Sequence, residues 1–386
     1  MFFTSLRTAS FRNLADTEVF TNAKDIFLIG ENGQGKTNFL EALYFCAYAS
    51  SFRAVRDSEI ASDNEVIRDG TIKRDGSVKR GAKEFSAEVK LCDSVNDDIL
   101  VKFENGKKSI IINGKRAEDR KELLSIAPSI VFCHEDMEFV SGSPERRRWF
   151  FDQTLSLYDP VYLEDLRRFR RVLKSRNTVL KDFSLGKFSE NPDAVLDALD
   201  PQFAMYGLKL MEKREKAADE FTNVFEKLYE EVSGISGITV RYIQSWKNPQ
   251  PCEFLSSHIV ENLKQRRSAD MAAGSSLSGP HRDRYQFAHN GADFTIRAST
   301  GQKRLLALLL RAAQARRYSA ETQQQPILLL DDVLLEMDGE KRKRFLSVLP
   351  AYDQAFYTFL PEEPYQRYQK EDTLVYTVKS GIVTKI

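Results

Sequence analysis

The hydrophobic rhythm of the chain changes several times, and each change marks an element. Residues 1–25 alternate through Phe3, Leu6 and Phe11 and again around Glu18-Val19-Phe20, which predicts a hairpin turning at Phe11-Arg12-Asn13. Ile26-Phe27-Leu28-Ile29 is an unbroken apolar run, the pattern of a strand buried on both faces. From Asn38 to Ala49 the period becomes helical, with Phe39, Leu40, Leu43 and Tyr44 as the apolar positions. Between 65 and 115 short strands return: Ala87, Val89 and Leu91, then Ile99, Val101 and Phe103, then Ile110-Ile111-Ile112. Asn105-Gly106 and Asn113-Gly114 are type I′ hairpin signals, so this part reads as an antiparallel meander.

Residues 120–235 read as mostly helical. Between Tyr162 and Lys181 one face carries Leu163, Leu166, Phe169, Leu173 and Leu180, leaving Arg167, Arg168, Arg170, Arg171, Lys174 and Arg176 elsewhere. A second long helix is predicted from Asp200-Pro201, a cap and N1 pair, to Gly234, striped by Phe203, Leu210, Phe221, Phe225 and Leu228. Two such stripes suggest an arm. Strand text resumes from Leu277 to Ala298, with Tyr285, Phe287, Phe294 and Ile296 flanking an Asn290-Gly291 turn. Ser299-Thr300-Gly301-Gln302 then opens an apolar helix, and Pro326 to Leu330 is a second buried strand ending in Asp331-Asp332.

At 386 residues the chain has room for about two to three domains. Its net charge of only +1 means that attraction to nucleic acid must come from local patches. Candidates are Arg53 with Arg56, Arg146-Arg147-Arg148, the arginines of the arm, Lys341 to Arg344, and the loop Asp69–Lys83 with its lysines and arginines. For each, a solvated face or a protein contact is the alternative reading. The four cysteines, Cys46, Cys92, Cys133 and Cys252, lack metal-ligand spacing and read as free thiols of a reducing compartment. No signal peptide and no apolar run near 18 residues is visible, so the expectation is a cytoplasmic protein without membrane contact.

The chemistry centres on Gly30-Glu31-Asn32-Gly33-Gln34-Gly35-Lys36-Thr37, placed between the first buried strand and the helix after it. In that context glycines let successive N–H groups face one anion, and the helix N-terminus adds its dipole. Lys36 is expected to reach the outer phosphates, and the Thr37 hydroxyl to ligate magnesium. Carboxylates at the C-terminal end of a buried strand lie where ligands bind in open α/β sheets. Asp331 is therefore the expected magnesium ligand and Asp332 the residue that polarises an attacking water. Ser299 caps a second helix whose N–H groups form another anion site. Arg12, just upstream, reads either as a nucleotide contact or as a solvated turn residue.

Taken in order, these residues resemble the RecF family, the recombination mediators of the SMC-like branch of ABC ATPases. The resemblance is carried by Ser10-Phe11-Arg12-Asn13, by the phosphate loop continuing through Thr37-Asn38-Phe39-Leu40-Glu41-Ala42, and by Ser51-Phe52-Arg53. Further along it is carried by Glu135-Asp136, Gly142 to Arg148, Arg176-Asn177 to Lys181 and Gly279-Pro280-His281-Arg282-Asp283. It ends with the signature Ser299-Thr300-Gly301-Gln302 and with Asp331-Asp332 before Glu336-Met337-Asp338.

The fold that the resemblance implies is α/β. An ABC-type ATPase head, residues 1–118 and 278–386, has a mixed sheet and an antiparallel β subdomain around the phosphate-loop helix. A mainly helical arm, residues 119–277, is inserted into it. ATP and Mg2+ are implied, held by Gly30, Asn32, Gly33, Gly35, Lys36, Thr37 and Asn38 of one copy and capped by Ser299, Gly301 and Gln302 of another. Two ATP molecules thus close a homodimer. By the same resemblance Arg12 reaches the nucleotide, Asp338 belongs to a loop crossing the dimer, and Thr358 occupies the switch position. Lys36 and Asp332 are the catalytic pair of a slow, DNA-stimulated ATPase.

The implied partners are duplex DNA, single-strand/double-strand junctions at gaps, RecR and RecO, with RecA loaded downstream on the nucleoid. The chain departs from the cassette pattern in three places. No glutamine stands at Glu135-Asp136, Thr300 replaces a glycine, and Asp332 replaces a longer glutamate. The rival reading is a transporter-type cassette coupled to a protein partner. Against it, Ser299 lies 263 positions beyond Lys36, which leaves room for an arm that such cassettes lack.

Overall fold

The computed structural model describes residues 2–54, 56–62, 84–92, 98–187, 191–246, 255–334, 337 and 339–386. The chain divides into two compact units, Met1–Asp136 with Tyr318–Ile386, and Met137–Arg317.

The first unit holds two six-stranded sheets. One is antiparallel, in the order β2-β1-β4-β5-β6-β7, from β1 (Phe2–Ala9), β2 (Glu18–Phe20), β4 (Phe85–Cys92), β5 (Asp98–Glu104), β6 (Lys107–Ile112) and β7 (Lys115–Arg116). Its turns at Asn105-Gly106 and Asn113-Gly114 have positive φ at both residues, the geometry these pairs favour. The other sheet runs β15-β14-β3-β13-β12-β8. Here β3 (Asp25–Ile29), β8 (Ser129–Phe132), β12 (Ile327–Leu330), β13 (Gln354–Phe359) and β14 (Leu374–Lys379) are parallel, and β15 (Ile382–Lys385) is an antiparallel edge. Every residue of β3, β8, β12 and β13 is buried, as their apolar runs require.

Between the sheets lies α1 (Lys36–Tyr48), which touches β1, β4 and β5 of one and β8 and β13 of the other. It is therefore buried all round from Phe39 to Tyr48, not on one stripe. Gln354, fully buried, ties the sheets: its amide accepts from Phe3 N at 2.9 Å and donates to Thr21 O at 2.7 Å. α2 (Lys121–Ile126) and α11 (Gly339–Val348) complete the unit.

The second unit contains α3 (Glu138–Ser141), α4 (Pro144–Tyr158), α5 (Pro160–Ser184), α6 (Pro192–Ser233), α7 (Leu255–Gln265), α8 (Arg267–Ala273), α9 (Phe294–Arg297) and the first part of α10 (Thr300–Thr322). A small sheet joins β9 (Ile238–Ile243), β10 (Arg284–His289) and β11 (Ala292–Asp293). Leu166, Phe169 and Val172 of α5 share a core with Phe203, Leu210 and Met211 of α6.

Several elements differ from the sequence expectation. Segment 119–136 belongs to the first unit, because β8 pairs with β12 from Ser129↔Ile327 to Phe132↔Leu330. The hairpin and signature segment belong to the second, because β10 pairs with β9, a strand the sequence pattern did not reveal. Helix α6 starts nine residues earlier, at Pro192 with Asn191 as its cap, so Pro201 lies inside it. Asp200 is not a cap but a buried acceptor for Arg176 Nε at 2.9 Å and Arg267 Nη2 at 2.8 Å. Gly234 does end the helix, at φ 75°. Arg176, fully buried on Asp200 and Asp270, leaves the arm's basic face. After Asn290-Gly291 the return strand is only two residues long, since Asp293 caps α9 by accepting from Thr295 N; Ile296 is 80% exposed.

Among the described residues Cys46, Cys92 and Cys133 are in no disulfide, and Cys252 lies outside the described residues, as do Asp338 and all of Asp69–Lys83. Among the described residues no helix is long and apolar enough to cross a membrane.

Candidate nucleotide site

The first unit gathers the site at the C-terminal ends of β3, β12 and β13. Where β3 turns into α1, Gly35 has φ 117°, a conformation closed to L side chains, and this lets the loop curl before the helix begins. Lys36 is 3% exposed, and its ammonium donates to Gly30 O at 2.7 Å and Glu31 O at 3.3 Å, arched over its own loop. Glu31, Asn32, Gly33, Gly35, Lys36, Thr37, Asn38, Arg53 and Asp332 line a polar cavity of about 210 Å³. The loop is braced from outside by the β14–β15 turn. Ser380 N donates to Gln34 Oε1 at 2.7 Å and Gly381 N to Gln34 O at 2.8 Å.

Parallel pairing of β12 with β13 aligns the two aspartates with Thr358. Asp331 Oδ1 accepts the Thr37 hydroxyl at 2.8 Å, which joins the phosphate loop to the carboxylate strand. Burial, and then the neighbouring Asp332 charge, push the Asp331 carboxyl up to about 7. Asp332 adopts φ 52°; its N–H donates to Thr358 Oγ1, and that hydroxyl donates to Asp332 Oδ1, both at 2.7 Å. Adjacent half-buried carboxylates, each already touching a hydroxyl, form an oxygen-rich set that a hard divalent cation would relieve electrostatically, so the residues fit magnesium.

A third feature was not legible as a function in the sequence. Glu41, with no side-chain exposure, accepts from Arg12 Nε at 3.0 Å and Nη2 at 2.9 Å, from Arg53 Nη2 and from the Ser51 hydroxyl. Burial pushes this carboxyl up, but the Arg12 hydrogen bond, the Arg53 charge and Ser51 outweigh it and hold it below the ordinary glutamate value.

A family model described as the RecF/RecN/SMC N terminal domain matches residues 2–383. The chain is 41% identical over 372 residues to the DNA replication and repair protein RecF of Treponema pallidum (strain Nichols), covering 96% of this chain and 98% of that one. It is 30% identical over 385 residues to RecF of Shouchella clausii (strain KSM-K16), covering 99% of each. The chain belongs to the RecF family of DNA replication and repair proteins. A solved structure of the recombination mediator protein RecF with ATP, in the RecFOR pathway, is similar with a TM-score of 0.82 at 26% identity, covering 100% of this chain and 97% of that chain. An SMC head bound to the C-terminal winged-helix domain of ScpA shares the fold, with a TM-score of 0.53 at 16% identity.

Within this RecF-family chain the other expected residues take definite places. Arg12, expected at the nucleotide, commits its guanidinium to Glu41 and to Glu59 O at 2.7 Å, and it is not among the cavity residues. Arg53, expected on DNA, instead lines the cavity with Asn38, whose Oδ1 it contacts. Arg56 is exposed. Arg147 donates to Val140 O at 2.7 Å and Tyr285 O at 3.2 Å, and Arg148 donates to Asp283 O at 2.7 Å, so both point inward on carbonyls, while Arg146 is exposed. Asp136 is buried and accepts from Cys133 N at 3.0 Å; Glu135 is exposed.

In the second unit the segment Ser299 to Gln302, expected as the signature, forms a capping box. Ser299 N donates to Gln302 Oε1 at 2.8 Å, and Gln302 N to Ser299 Oγ at 3.2 Å. Ser299, Thr300 and Gly301 are exposed at the start of a 23-residue helix.

Proposed function

We propose that this RecF-family chain binds ATP with Mg2+, that ATP closes two copies into a homodimer, and that the dimer grips duplex DNA beside single-stranded gaps. The observation that carries the reading is the Thr37–Asp331 contact at 2.8 Å, which brings a phosphate loop and a strand-end carboxylate from opposite ends of the chain into one site. On this reading the first unit is the ATPase head, and the second supplies the arm and the signature.

The loop N–H groups and Lys36 hold the phosphates, with Arg53 reaching them from its anchor on Glu41. Thr37 and Asp331 would hold magnesium, which supplies a Lewis acid for the phosphate oxygens. Asp332, fixed by Thr358, orients the attacking water. A carboxylate one methylene shorter than the usual glutamate makes hydrolysis slow, suited to a DNA-stimulated switch. Ser299, Gly301 and Gln302 of a second copy present a capped helix N-terminus to the same phosphates. Ligand that completes an interface drives assembly by linkage.

DNA contact falls to exposed basic residues, Arg56, Arg146, Lys341, Lys343 and Arg344. RecR, with RecO and RecA downstream, are the proposed partners, in the cytoplasm at the nucleoid. Light scattering with and without magnesium-ATP tests the reading. Wild-type protein should dimerise and Lys36→Ala should not; ATP-independent assembly in both would refute it. Binding to gapped duplex should weaken steeply with salt, because phosphate contacts release counterions.

A further inference from the structure

Of the residues from Glu31 to Asn38, Gln34 alone does not line the nucleotide cavity. It is held instead by the turn between β14 and β15. That turn is Ser380-Gly381, with φ of 48° and 79°, the two positive angles of a type I′ hairpin loop. Both of its N–H groups are engaged by Gln34: Ser380 N donates to the side-chain Oε1 at 2.7 Å, and Gly381 N to the main-chain O at 2.8 Å. The turn has an anchor of its own, apart from the loop. Ala15 N donates to Gly381 O at 3.0 Å, and a Cβ at Gly381 would stand 1.7 Å from Asn13 O, so only glycine lets the two segments meet this closely.

These contacts fix a direction. Among the described residues no peptide bond is cis, and in a trans peptide the C=O of one residue and the N–H of the next point to opposite sides. With Gln34 O held outward on Gly381 N, the N–H of Gly35 is turned the other way, toward the cavity that Gly35 lines. An anion there meets a donor. If that peptide rotated by half a turn, the anion would meet a carbonyl oxygen instead. Glycine at position 35, now at φ 117°, makes the rotation easy, because it accepts φ of either sign. The orientation must therefore be chosen from outside, and the two turn contacts on Gln34 choose it.

We propose that Gln34 is a positioning residue for the nucleotide, and that the Ser380-Gly381 turn latches the Gln34–Gly35 peptide with its N–H toward the phosphates. The C-terminal hairpin thereby sets the affinity for ATP from outside the cavity. This rests on the ATPase reading above. Gly381 N holds the peptide oxygen itself, while Ser380 N holds the side chain of the same residue, so the loop cannot turn about a single contact. Asn13, beside the turn, extends the support: Asn38 Nδ2 donates to its Oδ1 at 2.6 Å, and Asn13 Nδ2 reaches Gly33 O at 3.4 Å. A donor aimed before the ligand arrives loses less freedom on binding, which is how an outside latch raises affinity.

Gln34→Leu removes the acceptor for Ser380 N and leaves the peptide contact. Titration with magnesium-ATP, well below the unfolding temperature, should show Kd raised about three- to tenfold, the factor one hydrogen bond carries, with kcat at saturating ATP within about twofold. Gly381→Ala forces the turn away from Asn13 and releases both contacts, so Kd should rise on the order of ten- to a hundredfold. Ser380→Gly keeps both N–H groups, accepts the positive φ and should bind ATP as the wild type does. The double variant Gln34→Leu/Gly381→Ala should bind no more weakly than Gly381→Ala, because one set of contacts carries both effects. If Gly381→Ala does not fold, Gln34→Leu against Ser380→Gly decides alone. Unchanged Kd in Gln34→Leu overturns the assignment even where the thermal midpoint falls, since that marks a structural role. Losses that add in the double variant, a loss in Ser380→Gly equal to that in Gln34→Leu, or a fall in kcat with Kd unchanged overturn it as well. Wild-type protein that does not bind ATP would instead remove the ATPase reading, and this inference with it.

Discussion

Replacing Glu41 by glutamine tests whether one buried carboxylate organises the phosphate cavity. The side chain is fully buried, whereas Arg12 and Arg53 keep 24% and 26% of theirs in solvent. Breaking a buried pair by removing one partner costs about 3–5 kcal/mol. Here both arginines regain part of their hydration and the amide retains some hydrogen bonds, so about 2 kcal/mol is expected. For a unit of about 200 residues this lowers the thermal midpoint by about 4–8 °C. The loosened Arg53 should also weaken ATP binding, about fivefold for each 1 kcal/mol of lost alignment. Scanning fluorimetry with and without magnesium-ATP reads both effects. Because the Glu41 carboxyl is held below its ordinary value, its contribution is present above that value and lost as pH falls through and below it. The gap between wild type and Glu41→Gln should therefore narrow in acid. Identical midpoints and identical ATP-induced shifts at neutral pH would refute the reasoning.

Three further outcomes are expected. Asp332→Asn should bind ATP but accumulate dimer on DNA with kcat reduced about a hundredfold or more; wild-type turnover would remove Asp332 as the base. Ser299→Arg should abolish ATP-dependent dimers in light scattering without weakening ATP binding by the monomer, and parallel loss of both would place the signature's role within one copy. His281, whose Nε2 lies 3.0 Å from Ser276 O, is lowered to about 4 chiefly by burial. Its neutral form stabilises the fold fully above about pH 6.5, and that stability drains away as pH falls toward 4, about 2 kcal/mol after allowing for its partial exposure. His281→Gln should flatten the denaturation-versus-pH curve in that window; an unchanged slope would exclude the histidine.

The elements that sequence periodicity named well were those with one dominant determinant. Two fully apolar runs gave β3 and β12, the Asn-Gly pairs gave their turns, and the loop from Gly30 to Thr37 is recognisable by spacing alone. The failures share a cause, which is that a long-range partner decided the outcome. Pro201 sits inside α6 because Asp200 serves Arg176 and Arg267 instead of capping. β8 is a strand because β12 pairs with it, and β9 because β10 does. Charge runs misled most, since an arginine reads the same whether it faces solvent, as Arg146 does, or a carbonyl, as Arg147 does. Glu41 stands in the sequence only as one letter of the family resemblance, and its role was not legible there, because its three partners, Arg12, Arg53 and Ser51, are brought together only by the fold.

The order of strands around β3 also dictates a schedule for making the protein. β3 is near the start of the chain, yet both of its neighbours, β13 and β14, come from beyond residue 350. Residues 137–317 are contiguous and close on themselves, so they can fold while still emerging from the ribosome. The nascent phosphate loop must wait, exposed and unshaped, until the strands that flank it and the Ser380-Gly381 turn that grips Gln34 have been translated. A truncated product would therefore carry a finished signature helix and no working nucleotide pocket.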